Sequence, residues 1–139
     1  MDFDQDIDQT LIKAALQVRE GAYAPYSHYR VGAALLTDEG EIFTGVNVEN
    51  ASYPLSMCAE RSALFGAVSA GRSKFQALAV ATRNGGTPCG ACRQVLSEFG
   101  RDIRVLVVDQ EGKIVLETTV KELLPGAFGG GDLEGGVTS

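Results

Sequence analysis

Residues 58–100 read CAERSALFGAVSAGRSKFQALAVATRNGGTPCGACRQVLSEFG, and the order of elements in this stretch decides the fold. From Cys58 to Ala70 the apolar positions Ala59, Ala63, Leu64, Ala67 and Val68 recur at helical spacing, and Gly71 supplies the stop. Phe75 to Ala81 is a nearly continuous apolar run, the pattern of a strand covered on both faces. Thr87-Pro88 then reads as an N-cap followed by proline at the first helical position, opening a helix that ends near Gly100. A second buried strand follows from Ile103 to Val108.

Outward from this helix–strand–helix–strand core, Val31 to Leu36 and Ile42 to Val48 read as strands joined by the turn Thr37-Asp-Glu-Gly40, where Gly40 supplies a positive φ. Asp8 precedes Leu11, Ile12, Ala15, Leu16 and Ala22, which predicts a capped amphipathic first helix. Tyr23 to Tyr29, with Pro25 inside it, reads as an ordered loop. Downstream, the turn Asp109-Gln-Glu-Gly112 leads to a strand from Lys113 to about Thr118, and a short helix over Val120 to Leu124 follows. Gly126 to Ser139 holds six glycines and reads as a tail, ordered only where Phe128 or Leu133 docks. The expectation is one domain over residues 1–139, with 129–139 a glycine-rich tail. Its class is α/β, a three-layer α-β-α domain with a five-stranded mixed sheet.

Lys and Arg total 12 against 18 for Asp and Glu, a formal charge of −6, with no basic cluster. That composition argues against a nucleic-acid partner, whose phosphates attract proteins mainly through positive charge. No run approaches the roughly 20 apolar residues that cross a bilayer, and the acidic start lacks the basic flank of a secretory signal. A small-molecule partner, no membrane and a reducing cytoplasmic location are expected. Three cysteines cannot all pair within one chain, so a disulfide framework does not account for them.

Topology accounts for them better. The helix from Cys58 runs antiparallel to the strand it precedes, and the helix from Pro88 leaves that strand's carboxyl end, so both helix N-termini meet at one sheet edge. Cys58, Cys89 and Cys92 then converge where α/β sheets ordinarily hold ligands. The helix dipoles favour thiolates there. Three sulfurs suit zinc, one ion per chain, with a fourth position left open. Glu60, two residues after Cys58, is placed to carry protons beside the metal rather than to bind it. Arg61, immediately after Glu60, and Arg93, immediately after Cys92, are expected to hydrogen-bond the sulfurs. His28, the sole histidine, has no carboxylate beside it and reads as a surface-loop residue. Cys89-Gly-Ala-Cys92 alone would also serve thiol redox chemistry or structural zinc.

Cys58-Ala-Glu60 with Pro88-Cys-Gly-Ala-Cys92 resembles the zinc deaminase signature, in which the first ligand is His or Cys. The chain is also similar to the small homotetrameric cytidine deaminases of pyrimidine salvage. The likeness runs from the first helix to about Leu133, through Tyr23-Ala-Pro-Tyr-Ser27, Val31-Gly-Ala-Ala-Leu-Leu36, Gly45-Val-Asn-Val-Glu-Asn50, Cys58-Ala-Glu-Arg61, Pro88-Cys-Gly-Ala-Cys-Arg-Gln94 and Glu122-Leu-Leu-Pro125. The resemblance implies that Asn47 and Glu49 hold the sugar hydroxyls, a role that suits alternate residues at a strand end. At Tyr29 the family often carries a phenylalanine that stacks on the pyrimidine; tyrosine keeps the flat face and adds a hydroxyl that wants a partner. Phe128 resembles an aromatic that family members insert into a neighbouring subunit's active site.

The same resemblance implies a hydrolase acting on a cyclic amidine C–N bond. Metal-activated water gives a proton to Glu60 and attacks C4 of free cytidine or 2′-deoxycytidine. Glu60 then protonates N3 and the departing amine, leaving uridine or 2′-deoxyuridine and ammonia. The backbone of Ala59 and the region of Cys89 are placed to recognise the amide edge of the base. Three rivals stay open: a deaminase of another cytosine-containing small molecule, a non-enzymatic zinc module, and thiol redox through Cys89 and Cys92.

Overall fold

The computed structural model describes residues 3–133. Its elements run α1 (Phe3–Arg19), β1 (Gly32–Thr37), β2 (Ile42–Val46), α2 (Ala59–Ser69), β3 (Phe75–Ala81), α3 (Gly90–Phe99), β4 (Arg104–Val108), β5 (Ile114–Thr119) and α4 (Val120–Leu123), with one 3-10 turn at Tyr53–Leu55. The five strands form one sheet in the order β2-β1-β3-β4-β5. β3 and β4 are parallel and every other pair is antiparallel, so the sheet is mixed, as expected.

Alternation along the strands builds two cores. Ala33 and Leu35 of β1, Leu78 and Val80 of β3, and Val105 and Val107 of β4 face one side, where they pack with Ala63 and Leu64 of α2 and Leu96 of α3. The intervening residues Ala34, Leu36, Ala77, Ala79, Ala81, Leu106 and Val108 face the other side and meet Leu11, Ile12 and Ala15 of α1. This period-two switch follows from strand geometry and gives three layers: α1, the sheet, then α2 and α3. Every residue of β1 is buried, because β1 lies inside the sheet and is covered by both layers.

Glycine sets how closely two helices approach. A Cβ on Gly32 would lie 2.1 Å from the carbonyl oxygen of Ala15, and one on Gly45 would lie 2.4 Å from the amide nitrogen of Ala63 and 2.6 Å from the Ala59 oxygen. The second contact matters for function, since it seats α2, the helix that carries Glu60, directly on β2. Gly45→Ala must push helix backbone away from the sheet. The expected cost is about 3 kcal/mol, the upper part of the range for overpacking, read as a lowered urea midpoint together with weakened metal retention.

Two predicted boundaries differ. The first helix does not begin after Asp8; it starts at Phe3, and Asp8 lies within it, largely buried. Its carboxylate accepts hydrogen bonds of 3.2 and 2.6 Å from Arg104, at the start of β4. Nor does α3 begin at Thr87-Pro88. Cys89, itself extended, is the N-cap, its sulfur accepting the Cys92 N–H at 3.4 Å, and residues 85–88 before it form no regular element. In the predicted tail, residues 130–133 form a helical turn; the side chains of Phe128 and Leu133 are 57% and 63% exposed, and the Phe128 carbonyl accepts a hydrogen bond from Gln94 at 3.0 Å. The rest of the predicted tail, 134–139, lies outside the described residues.

Candidate metal centre and active site

Cys58 caps α2 and Cys89 caps α3, one helical turn before Cys92. Because α2 leads into β3 and α3 leaves its carboxyl end, the two helix starts meet as the sequence predicts. The three sulfurs all lie within 4.8 Å of one another. Cys58 Sγ stands 3.8 Å from Cys89 Sγ, which stands 3.3 Å from Cys92 Sγ, and all three cysteines are free. Sulfurs about 2.3 Å from a tetrahedral zinc lie roughly 3.8 Å apart, so the trio fits that ion with small adjustment. Two helix starts point at the cluster and favour its negative charge.

Arg61 donates from Nη2 to Cys58 Sγ at 3.2 Å, as expected from its position. The shared hydrogen bonds from Cys92 and Arg61 hold the Cys58 thiol down, at about 5, while its partner Cys92 is pushed up by that same bond and by burial. Arg61→Gln keeps a hydrogen-bonding group but removes the charge. It is expected to weaken zinc binding about 10- to 100-fold, measured by competition with a chromophoric chelator.

Arg93 departs from its expected place beside the sulfurs. It donates instead to the carbonyls of Pro88 (2.7 Å) and Leu123 (2.9 Å) and to the Thr87 hydroxyl (3.1 Å). It braces the loop before Cys89 against α4. His28 is exposed and takes no part in the cluster, which among the described residues is the cysteine trio alone.

Beside the sulfurs lies a cavity of about 250 Å³, lined by Tyr29, Asn47, Glu49, Cys58, Ala59, Glu60 and Cys89 among others. Glu60, on the first turn of α2, is only 5% exposed. Burial pushes its carboxyl up to about 7, the Cys58 charge adds to this, and Arg61 opposes it. A carboxyl of that kind exchanges its proton near neutrality, where a general acid–base group works best.

Asn47 and Glu49 line the same cavity, yet part of their hydrogen-bonding capacity holds the loop above it. Asn47 accepts from the Val31 N–H at 2.9 Å and donates to the Tyr29 carbonyl at 2.8 Å. Glu49 accepts from the backbone N–H groups of Tyr26 and Ser27 at 3.0 and 3.1 Å and from the Ser27 hydroxyl. These bonds, the Ser27 hydroxyl foremost, hold the Glu49 carboxyl below its usual range. Among the described residues, one Asn47 N–H and further Glu49 lone pairs have no partner and can take a ligand. Sequence reasoning missed Ser56, Met57, Thr82 and Thr87, which also line the cavity. Thr82 left a signal, as a hydroxyl directly after the largely apolar strand Phe75–Ala81, and Thr87 stood out only as a helix cap.

The family model described as the cytidine and deoxycytidylate deaminase zinc-binding region matches residues 5–109. The chain belongs to this family. A cytidine deaminase of Halalkalibacterium halodurans is 53% identical over 128 residues, spanning 90% of this chain and 96% of the relative. One from Sporosarcina psychrophila is 49% identical over 128 residues, spanning 90% and 93%. The crystal structure of a cytidine deaminase from Burkholderia pseudomallei superposes with a TM-score of 0.82 at 47% identity, covering 92% of this chain and all of that one. Membership of this zinc-binding deaminase family accords with a three-sulfur cluster able to hold the ion. No helix among the described residues is long and apolar enough to cross a membrane.

Proposed function

We propose that the chain hydrolyses the exocyclic amine of free cytidine and 2′-deoxycytidine, releasing ammonia and the uracil nucleoside. One observation carries this reading: three free sulfurs lie within 4.8 Å of one another, and two of their residues, Cys58 and Cys89, line a cavity that is also lined by a buried carboxyl. Cys58, Cys89 and Cys92 hold zinc, which when bound acts as a Lewis acid that makes water easier to deprotonate.

Glu60 takes the proton of the attacking water as oxygen bonds to C4 of the base. It delivers that proton to N3, then takes the second proton from the new C4 hydroxyl and passes it to the amine nitrogen, so that the carbonyl forms and the C4–N bond breaks with ammonia as the leaving group. Water and the nucleoside, with its exocyclic amine, supply every atom of the products. The first-turn N–H of Ala59 and the backbone near Cys89 read the amide edge of the base, Tyr29 provides a flat wall, and the remaining valences of Asn47 and Glu49 take sugar hydroxyls. Arg61 steadies the ligand sulfur of Cys58, and Arg93 holds the approach to Cys89.

The chain acts as a single domain over its length, in the cytoplasm, as a pyrimidine salvage enzyme. It assembles as a homotetramer in which Phe128 of each subunit reaches a neighbour's cavity. Support for assembly comes from large apolar groups left in water by the single chain: Tyr53 is 73% exposed, Leu55 69% and Phe128 57%. Zinc-loaded protein mixed with cytidine should release ammonia and uridine in equal amounts, and light scattering should give four chains per particle. Full zinc occupancy without ammonia would overturn the reaction, and a monomer mass would overturn the assembly.

A further inference from the structure

The Tyr29 hydroxyl has a built place. It donates to the side-chain oxygen of Asn84 at 2.6 Å, across 55 residues of sequence. Gly86 makes the room, since a Cβ there would lie 2.6 Å from that hydroxyl. The guanidinium of Arg83 stands 5.7 Å from the centre of the Tyr29 ring, close enough for a cation–π contact.

The segment carrying Asn84 and Gly86 cannot easily retreat. The buried Thr82 hydroxyl accepts the N–H groups of both Gly85 and Gly86, each at 2.8 Å. On the far side Gly85 lies against β5, where a Cβ would come within 2.6 Å of a Val115 methyl. With this segment pinned between Thr82 and Val115, added bulk at Gly86 must displace the Tyr29 ring. Tyr29 and Gly86 both line the cavity. The ring's position therefore depends on a hydrogen bond and a gap that no metal ligand or proton carrier supplies.

We infer that Asn84 and Gly86 are positioning residues for nucleoside binding, acting through Tyr29: the amide holds the tyrosine hydroxyl, the glycine leaves space for it, and together they fix the aromatic wall of the cavity. The inference rests on the proposed nucleoside reading of the site. A phenylalanine at position 29 would need neither partner, so the three residues form one coupled set.

The test compares Asn84→Ala, Gly86→Ala, Tyr29→Phe and the pair Tyr29→Phe with Gly86→Ala against the parent, all zinc-loaded. Asn84→Ala should raise KM for cytidine about two- to tenfold, the worth of one hydrogen bond, with the loss in KM rather than kcat. Gly86→Ala should raise KM by about tenfold or more and lower the melting temperature. Removing the clashing oxygen should undo that, returning the pair to within about twofold of Tyr29→Phe alone and restoring its melting temperature. A general structural defect would instead reduce the active fraction, with no rescue. The inference is overturned if Gly86→Ala is harmless, if Tyr29→Phe fails to rescue it, or if Asn84→Ala leaves KM unchanged. Parent protein that releases no ammonia would defeat the functional reading instead, and the melting-temperature rescue then decides the contact by itself.

Discussion

Glu60→Gln is expected to lower the rate of ammonia release from cytidine by about 10²- to 10⁴-fold while leaving one zinc bound per chain. The substitution preserves shape and keeps a hydrogen-bonding group in the first turn of α2, so packing around this 5% exposed side chain should survive. What it removes is a proton that can come and go. Burial pushes the Glu60 carboxyl up to about 7, so its acid and base forms are both available at neutral pH, and an amide offers neither. Stability should hold or rise slightly, since an ionisable group leaves a buried place. Metal analysis beside turnover separates the alternatives. Loss of zinc would make Glu60 a ligand, and unchanged turnover would put the proton route elsewhere. A purely structural zinc module would have no turnover to lose.

The central strands were legible because hardly a polar residue interrupts Phe75 to Ala81 or Ile103 to Val108, and strands covered on both faces demand that. The meeting of Cys58 with Cys89 and Cys92 was legible too, since chain direction alone brings the two helix starts to one sheet edge. Partners distant in sequence were hidden. Asp8 has the residue type and location of a cap, yet its carboxylate serves Arg104, 96 residues on. Thr87 resembles a cap in the same way, but its hydroxyl accepts from Arg93, and the cap falls to the Cys89 sulfur.

Arg93 shows the limit of adjacency as a guide. It follows a ligand cysteine directly, as Arg61 follows Glu60, yet only Arg61 reaches sulfur. One helical turn returns Arg61 from position 61 to the cap at 58, whereas Arg93 reaches back past Cys89 to Pro88 and across to α4. Alternation put Asn47 and Glu49 on one side of the chain. That the loop over the cavity takes up much of their capacity was not legible, because those partners are mostly backbone groups, which sequence does not distinguish.

Cys92→Ala is expected to abolish turnover and zinc retention together, and returning zinc in excess should restore neither. Two sulfurs remain in this variant, and two donors do not hold a zinc ion against solvent at the affinity of three. Chelation of the parent protein should also stop turnover, but reversibly. The two apolar cores on either side of the sheet owe nothing to the metal, so the stripped chain should stay folded. Its melting temperature should fall only by the linkage contribution of the lost ion. The variants should then differ without metal. Cys92 is fully buried, so its truncation leaves a small void, whereas Cys89 is exposed and its loss costs mainly the α3 cap. Cys58→Ala strips the half-buried Arg61 of its sulfur partner and should destabilise through an uncompensated charge. A redox pair would behave otherwise. Cys89 and Cys92, with sulfurs 3.3 Å apart, would close to a disulfide in stripped protein and Cys58→Ala would spare the chemistry. Full activity in Cys58→Ala would therefore remove the metal from the reaction.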